Sequence, residues 1–231
     1  MPVVFDRLSN GSLRGRIAGR VREAILKGDL REGQRIVERE LAAQLGASAT
    51  AVREALIELE MEGFITKKPS AATFVTRLTL GETEQLFAVR RVLECYAIER
   101  AAAEATAGQI RELEGRYAAM REAAQAGDKQ AFLRADYSWH EAMWSMAGND
   151  YLQNTLKRIV LPIFAFTAIR VVSRDIFDLG EDADSHLPAM LAIERNDSAE
   201  ARAVLANALD RWMDAIRNYV FADGATHQAH T

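Results

Sequence analysis

Two short apolar-patterned stretches with only three residues between them constrain this chain more than any other feature of its sequence. Leu41, Ala42 and Leu45 mark the inward side of a helix over about 38–45, and Gly46 stops it. Ser48 then caps a second helix that runs to Gly63 with Val52, Ala55, Leu56 and Leu59 inward. Two helices joined by so tight a Gly turn make a helix-turn-helix. Ahead of them Leu13, Ile17, Val21, Ala24 and Ile25 recur at helical spacing, which predicts an amphipathic helix over 12–27 closed by Gly28. After Gly63 the pattern changes. Phe64-Ile65-Thr66-Lys67-Lys68 and Thr73-Phe74-Val75-Thr76 are short β-prone runs around Pro69-Ser70-Ala71-Ala72, and they predict a hairpin.

A basic hairpin directly after a helix-turn-helix is a wing, and such a unit presents its second helix to the major groove. A helical hairpin with a Gly turn can also be purely structural, so charge matters. Residues 1–77 hold 13 Lys+Arg against 10 Asp+Glu, whereas the whole chain is −4 at pH 7. The excess of positive charge thus sits on the part that would meet a polyanion.

The rest of the chain reads as helix throughout. Thr79-Leu80-Gly81-Glu82 is a capping box, and Thr106-Ala107-Gly108-Gln109 repeats the device. Asp128 caps a third helix that ends at Gly148, Asn149-Asp150 opens a fourth that is bent or broken near Pro162, a fifth spans about 183–195, and Asp197 caps a sixth that ends near Ala222. The fold class is therefore mainly α: a winged helix-turn-helix over 1–78, an all-helical bundle over 79–225 and a disordered tail over 226–231. One cysteine, Cys95, rules out an internal disulfide and suits a reducing cytosol. No apolar run reaches the ~18 residues of a membrane span, and the first residues lack the regions of a secretory signal.

The chemistry of the bundle lies in few residues. Asp136 and His140 are four apart, on the face that also carries Phe132, Leu133 and Met143, so both point inward. Unpaired polar groups there would cost about 2–7 kcal/mol. His186, preceded by Glu181, Asp182 and Asp184, lies on a different helix. Two imidazoles and a carboxylate from two helices make either a divalent-metal site with open positions or a hydrogen-bonded polar core. The same three residues have the composition of an iron-enzyme site, but no second acid/base set accompanies them. Arg90 could meet a carboxylate ligand or pair with Glu94 one turn away; Arg170 and Arg174 could also reach a cavity. Trp139, Trp144, Trp212, Phe166 and Cys95 read as packing.

Over residues 13–77, the string Gly33-Gln34-Arg35-Ile36-Val37-Glu38-Arg39-Glu40-Leu41-Ala42, then Leu45-Gly46-Ala47-Ser48, Val52-Arg53-Glu54-Ala55-Leu56 and Glu62-Gly63 resembles the winged helix-turn-helix of GntR-family regulators. The resemblance implies operator contacts from Arg35 and Arg53, with Ser48 and Thr50 opening the recognition helix and Lys67 and Lys68 in the wing. The chain departs from the family pattern at Ala49, Ala51 and Ala72. Over residues 82–222, Arg90 to Glu94, Asp136 to His140 with Ala147-Gly148-Asn149, and His186 eleven residues before Asp197 resemble the FCD ligand-binding domain of the FadR subfamily. That resemblance implies Zn²⁺ or Ni²⁺ on Asp136, His140 and His186, and an effector cavity near Arg90. Where many relatives add a third His this chain has Ala208, so Asn207 or water would have to stand in. The implied protein is a cytoplasmic, homodimeric, non-enzymatic regulator, a repressor in most of the family, which binds operator DNA and a small organic acid. A metal-free regulator, a regulator that responds to the ion itself and a two-His-one-carboxylate enzyme are the alternatives.

Overall fold

The computed structural model describes residues 13–68, 72–171 and 178–221. The chain divides into two compact units that meet between Arg77 and Leu78.

In the first unit, α1 (Leu13–Lys27) buries Ile17, Ala18, Val21 and Ile25 and packs on α3 (Ala49–Met61), which also holds α2 (Glu38–Leu45). The turn between α2 and α3 depends on Gly46, whose φ of 61° places it in the left-handed region, with its N–H on the carbonyls of Ala42 and Ala43. Ser48 caps α3 by accepting from the Ala51 N–H. Val52, Ala55, Leu56 and Leu59 are all buried. Leu45 departs from the inward set expected for α2: it is 37% exposed, and Ala42 alone among the residues of α2 is buried.

The wing strands β2 (Ile65–Lys67) and β3 (Thr73–Val75) pair antiparallel, with Thr66 opposite Phe74. A further strand, β1 (Arg35–Ile36), joins the free edge of β3 in the order β1-β3-β2. Two residues are too few to show an alternating pattern, so this strand had no signature in the sequence. The bonds Gly33 N–H to Val75 O, 3.0 Å, and Val75 N–H to Gln34 O, 2.9 Å, tie the stretch before α2 to the wing.

In the second unit, both capping boxes form: Thr79 with Glu82 starts α4 (Leu80–Glu104), and Thr106 with Gln109 starts α5 (Ala107–Gln125). Asp128 caps α6 (Lys129–Met146). Of the bend or break expected near Pro162 in helix α7 (Asp150–Val171), the break is not there: the segment is α-helical through the proline. The helix expected over 183–195 is two short ones, α8 (Leu179–Asp184) and α9 (Leu187–Glu194), with His186 at the junction and Pro188 in the first turn of α9. Among the described residues the bundle thus has seven α-helices where the caps suggested six. The last, α10 (Ser198–Ala215), continues as a π-helical turn over Ile216–Phe221. The expected tail and Arg174 lie outside the described residues.

Helix α4 packs on α6, α7, α9 and α10. The core beneath it includes Ile98, Leu113, Met120, Phe132, Trp139, Met143 and Trp144, and Cys95 is buried as expected of a small core residue. Among the described residues, no helix is long and apolar enough to cross a membrane.

Candidate functional site

Helix α6 carries Asp136 and His140 on its buried face, and the α8–α9 junction brings His186 to meet them. One ligand atom from each lies within 4.8 Å of the others, and all three residues are buried. His186 Nε2 is 3.1 Å and His140 Nε2 is 3.6 Å from the same Asp136 Oδ1. The outer nitrogens are held from behind. His186 Nδ1 faces the Asp182 backbone oxygen at 3.0 Å. His140 Nδ1 lies 3.1 Å from Glu94 Oε1, an ion-pair distance, although the approach misses hydrogen-bond alignment. Both rings therefore turn Nε2 toward Asp136, the orientation in which second partners hold metal-binding imidazoles.

Glu94 is the carboxylate on which this arrangement depends. Arg90 Nε donates to its Oε2 at 3.1 Å and Trp144 Nε1 to its Oε1 at 2.9 Å. The Arg90–Glu94 pair weighed at the sequence level is present, and Arg90 also reaches inward: Nη2 is 3.3 Å from His140 Nε2. A guanidinium can only donate, so this contact requires the lone pair of His140 Nε2.

Burial pushes the Glu94 carboxyl up, but Arg90 and then His140 outweigh it and hold it down at about 2. Asp136 follows the same logic: burial is opposed by the His186 hydrogen bond and by the charges of His186, His140 and Arg90, and the acid stays below its usual range. Burial would lower His186, yet its bond to Asp136 and the nearby Asp182 raise it. Asp182 is pushed up to about 7 by burial and by Asp136. With its pKa raised and an acceptor facing each nitrogen, the His186 ring is favoured in its protonated form, so an ion entering here competes with a proton for Nε2.

A cavity of about 40 Å³ opens onto the triad, with Arg90, Trp139, Phe164, Asp182, Ala208 and Trp212 among its walls. That volume takes an ion with a water or two. Trp139 and Trp212, read from the sequence as packing, are also cavity walls. Ala208 faces the cavity where a further ligand would stand. Asn207, the expected stand-in, does not: it is exposed on α10 and absent from the walls. A chamber of about 20 Å³ adjoins through shared walls at Asp136, Phe164, Asp182 and Trp212, and the buried Thr167 that lines it has a hydroxyl without a partner. Glu94 and Asp182 are the site residues that sequence reasoning did not assign to it. Their signal was positional, each lying four residues before or after a group already singled out. Arg170, named as a possible cavity residue, instead donates to the Val220 carbonyl at 3.2 Å.

On the first unit, Arg35, Ser48, Thr50, Arg53, Lys67 and Lys68 are all exposed. Arg53 Nε and Nη2 both donate to Glu38 Oε2, at 3.1 and 3.0 Å. Lys67 pairs with Glu60 at 2.7 Å. Lys68 Nζ sits 5.0 Å over the Phe74 ring.

Residues 13–75 match the family described as bacterial regulatory proteins, gntR family, and residues 85–211 match the FCD domain. The chain is 31% identical to a protein of Paenarthrobacter nicotinovorans named "Probable D-xylose utilization operon transcriptional repressor", over 91% of this chain and 93% of that one. It is 30% identical to the Nta operon transcriptional regulator of Aminobacter aminovorans, over 82% and 90%. It is 27% identical to the gluconate operon transcriptional repressor of Bacillus subtilis, over 92% and 87%. Among solved structures, E. coli McbR/YncC is similar in fold, with a TM-score of 0.71 at 20% identity over 90% of this chain and 99% of that one.

Proposed function

We propose that this chain, which belongs to the gntR family of bacterial regulatory proteins and carries an FCD domain, couples operator binding to a small carboxylic acid held beside a divalent metal. That it is a DNA-binding transcription regulator follows from the family. The metal and the acid are the proposal. One observation supports it best: three buried ligand atoms within 4.8 Å of one another, with both imidazoles turned so that Nε2 faces the carboxylate.

Asp136, His140 and His186 would hold the ion, and two imidazoles with one carboxylate suit Zn²⁺ or Ni²⁺. When bound, the ion would offer a Lewis-acidic position to an anionic oxygen. The chain supplies the rest. Asp182 and Glu94 orient the rings, the walls around Phe164 and Trp212 exclude water, and Arg90 presents a fork suited to a carboxylate. Regulators of this family are usually dimeric. In a homodimer, acid binding would reset the spacing of two wings and so change operator affinity.

Purified protein is expected to carry about one divalent ion per chain, and His140→Ala and His186→Ala should each lose most of it by elemental analysis. Operator binding without effector should persist, since the recognition helix lies in the other unit. Because the His186 pKa is raised, proton and ion compete at its Nε2 from above pH 6.5 downward. Metal affinity should fall about tenfold per pH unit through that window. A flat profile between pH 8 and 5 would count against ligation by His186.

A metal-free regulator is the second reading, and Arg90 favours it. The Arg90 N–H occupies the His140 lone pair, so that bond and a coordinated ion are alternatives. Wild-type protein with no bound metal, and with a melting temperature indifferent to added Zn²⁺ or Ni²⁺, would establish it.

In the wing, Lys68→Ala should weaken binding to every DNA sequence alike and flatten the log–log salt dependence by about 0.9. A loss confined to one sequence would contradict a phosphate contact.

A further inference from the structure

We infer that Glu38 is a positioning residue for base readout, presenting one edge of the Arg53 guanidinium to the DNA. The inference rests on the reading that Arg53 contacts a base. Arg53 lies in the second turn of α3 and Glu38 in the first turn of α2. Both bonds between them use the same guanidinium edge, Nε–H and one N–H of Nη2, and both end on Glu38 Oε2 at 3.1 and 3.0 Å. Of the five N–H donors of an arginine, two are thereby taken. The remaining three are both N–H groups of Nη1 and one of Nη2, and one from each nitrogen forms the end-on fork that matches guanine O6 and N7.

The charge of Glu38 matters as much as its geometry. An unaccompanied arginine on a recognition helix can clamp any phosphate, and that contact carries no sequence information. A carboxylate beside the guanidinium repels phosphate and cancels much of the long-range attraction, but leaves directional hydrogen bonds intact. Glu38 thus moves Arg53 from general attraction toward discrimination. Its other conceivable role is as an acidic residue complementing the N-terminus of α2, where Val37 makes no side-chain cap. That role touches stability alone, so the two separate by experiment.

Full-length wild type, Glu38→Ala, Glu38→Gln and Arg53→Ala are each put through selection from random duplex DNA, and the wild-type site and its single-base variants are then titrated over a range of salt. Glu38→Ala is expected to lose about tenfold in discrimination at one base pair. Glu38→Gln keeps an acceptor without the charge and should retain part of that discrimination. Both should bind unrelated DNA at least as well as wild type, with a salt slope steeper by up to about 0.9. If Glu38→Ala discriminates as wild type does, or only lowers the melting temperature while base preference stays, the inference is overturned. If wild type discriminates and Arg53→Ala discriminates equally well, the reading of Arg53 fails first and takes this inference with it.

Discussion

Glu94→Ala should destabilise the helical unit by about 3–5 kcal/mol, the usual cost of removing one member of a buried ion pair. Glu94 is fully buried and Arg90 nearly so, which leaves the guanidinium without a counter-charge when the carboxylate goes. Trp144 Nε1 loses its acceptor and the His140 ring its rear support at the same time. Because each loss strands a partner away from water, the effect exceeds the sum of the two ordinary hydrogen bonds from Arg90 and Trp144. Denaturant unfolding measures it, and a loss under 1 kcal/mol would mean that water readily replaces the carboxylate. Acid should reveal the same group. Its folded-state pKa, about 2, lies below the usual 4.5, so its contribution is present above pH 4.5 and is lost as pH falls toward 2. Glu94→Gln, which does not ionise, should flatten stability in that window.

Arg53→Ala is expected to abolish sequence-specific binding and leave the fold intact. A bidentate guanine contact is worth about 1–3 kcal/mol of discrimination, ten- to hundredfold in affinity. The truncation also leaves the Glu38 carboxylate facing the DNA alone, which pushes the loss to the upper end. Stability should change little, because the pair is exposed, with side chains 63% and 30% accessible, and such pairs contribute about 0–1 kcal/mol. An electrophoretic shift with unchanged affinity for the selected site would sink the role of Arg53.

How far the sequence discloses this molecule depends on how local each determinant is. Caps are local, and the helix starts at Ser48, Thr79, Thr106, Asp128 and Asp197 were legible because the capping atom and its target lie within three residues. The two-residue strand β1 was not, since it exists only through β3, almost forty residues away. The split between α8 and α9 did have a local mark, Pro188, which belongs in a first helical turn and not in the middle of one helix over 183–195. Asp136 and His140 showed their shared face through four-residue spacing. The convergence of His186 on them rests on how α8 and α9 pack against the bundle, which no spacing encodes. Asn207 against Ala208 shows the limit most simply. Adjacent helical positions lie about 100° apart, so a one-residue uncertainty in alignment decides whether a side chain faces the cavity or the solvent.

Pro162, which leaves α7 helical, has a consequence for how the cavity could enlarge. Proline has no amide hydrogen, so the carbonyl four residues earlier, that of Arg158, lacks its usual donor within the helix. Phe164 and Thr167 lie beyond that missing bond and form walls of the two chambers. The later turns of α7 can therefore tilt about a joint where one strut of the ladder is already absent, so the motion breaks fewer main-chain bonds than it would in an uninterrupted helix. Space for an acid larger than a cluster of waters would come mainly at the expense of side-chain contacts, which re-form against whatever enters.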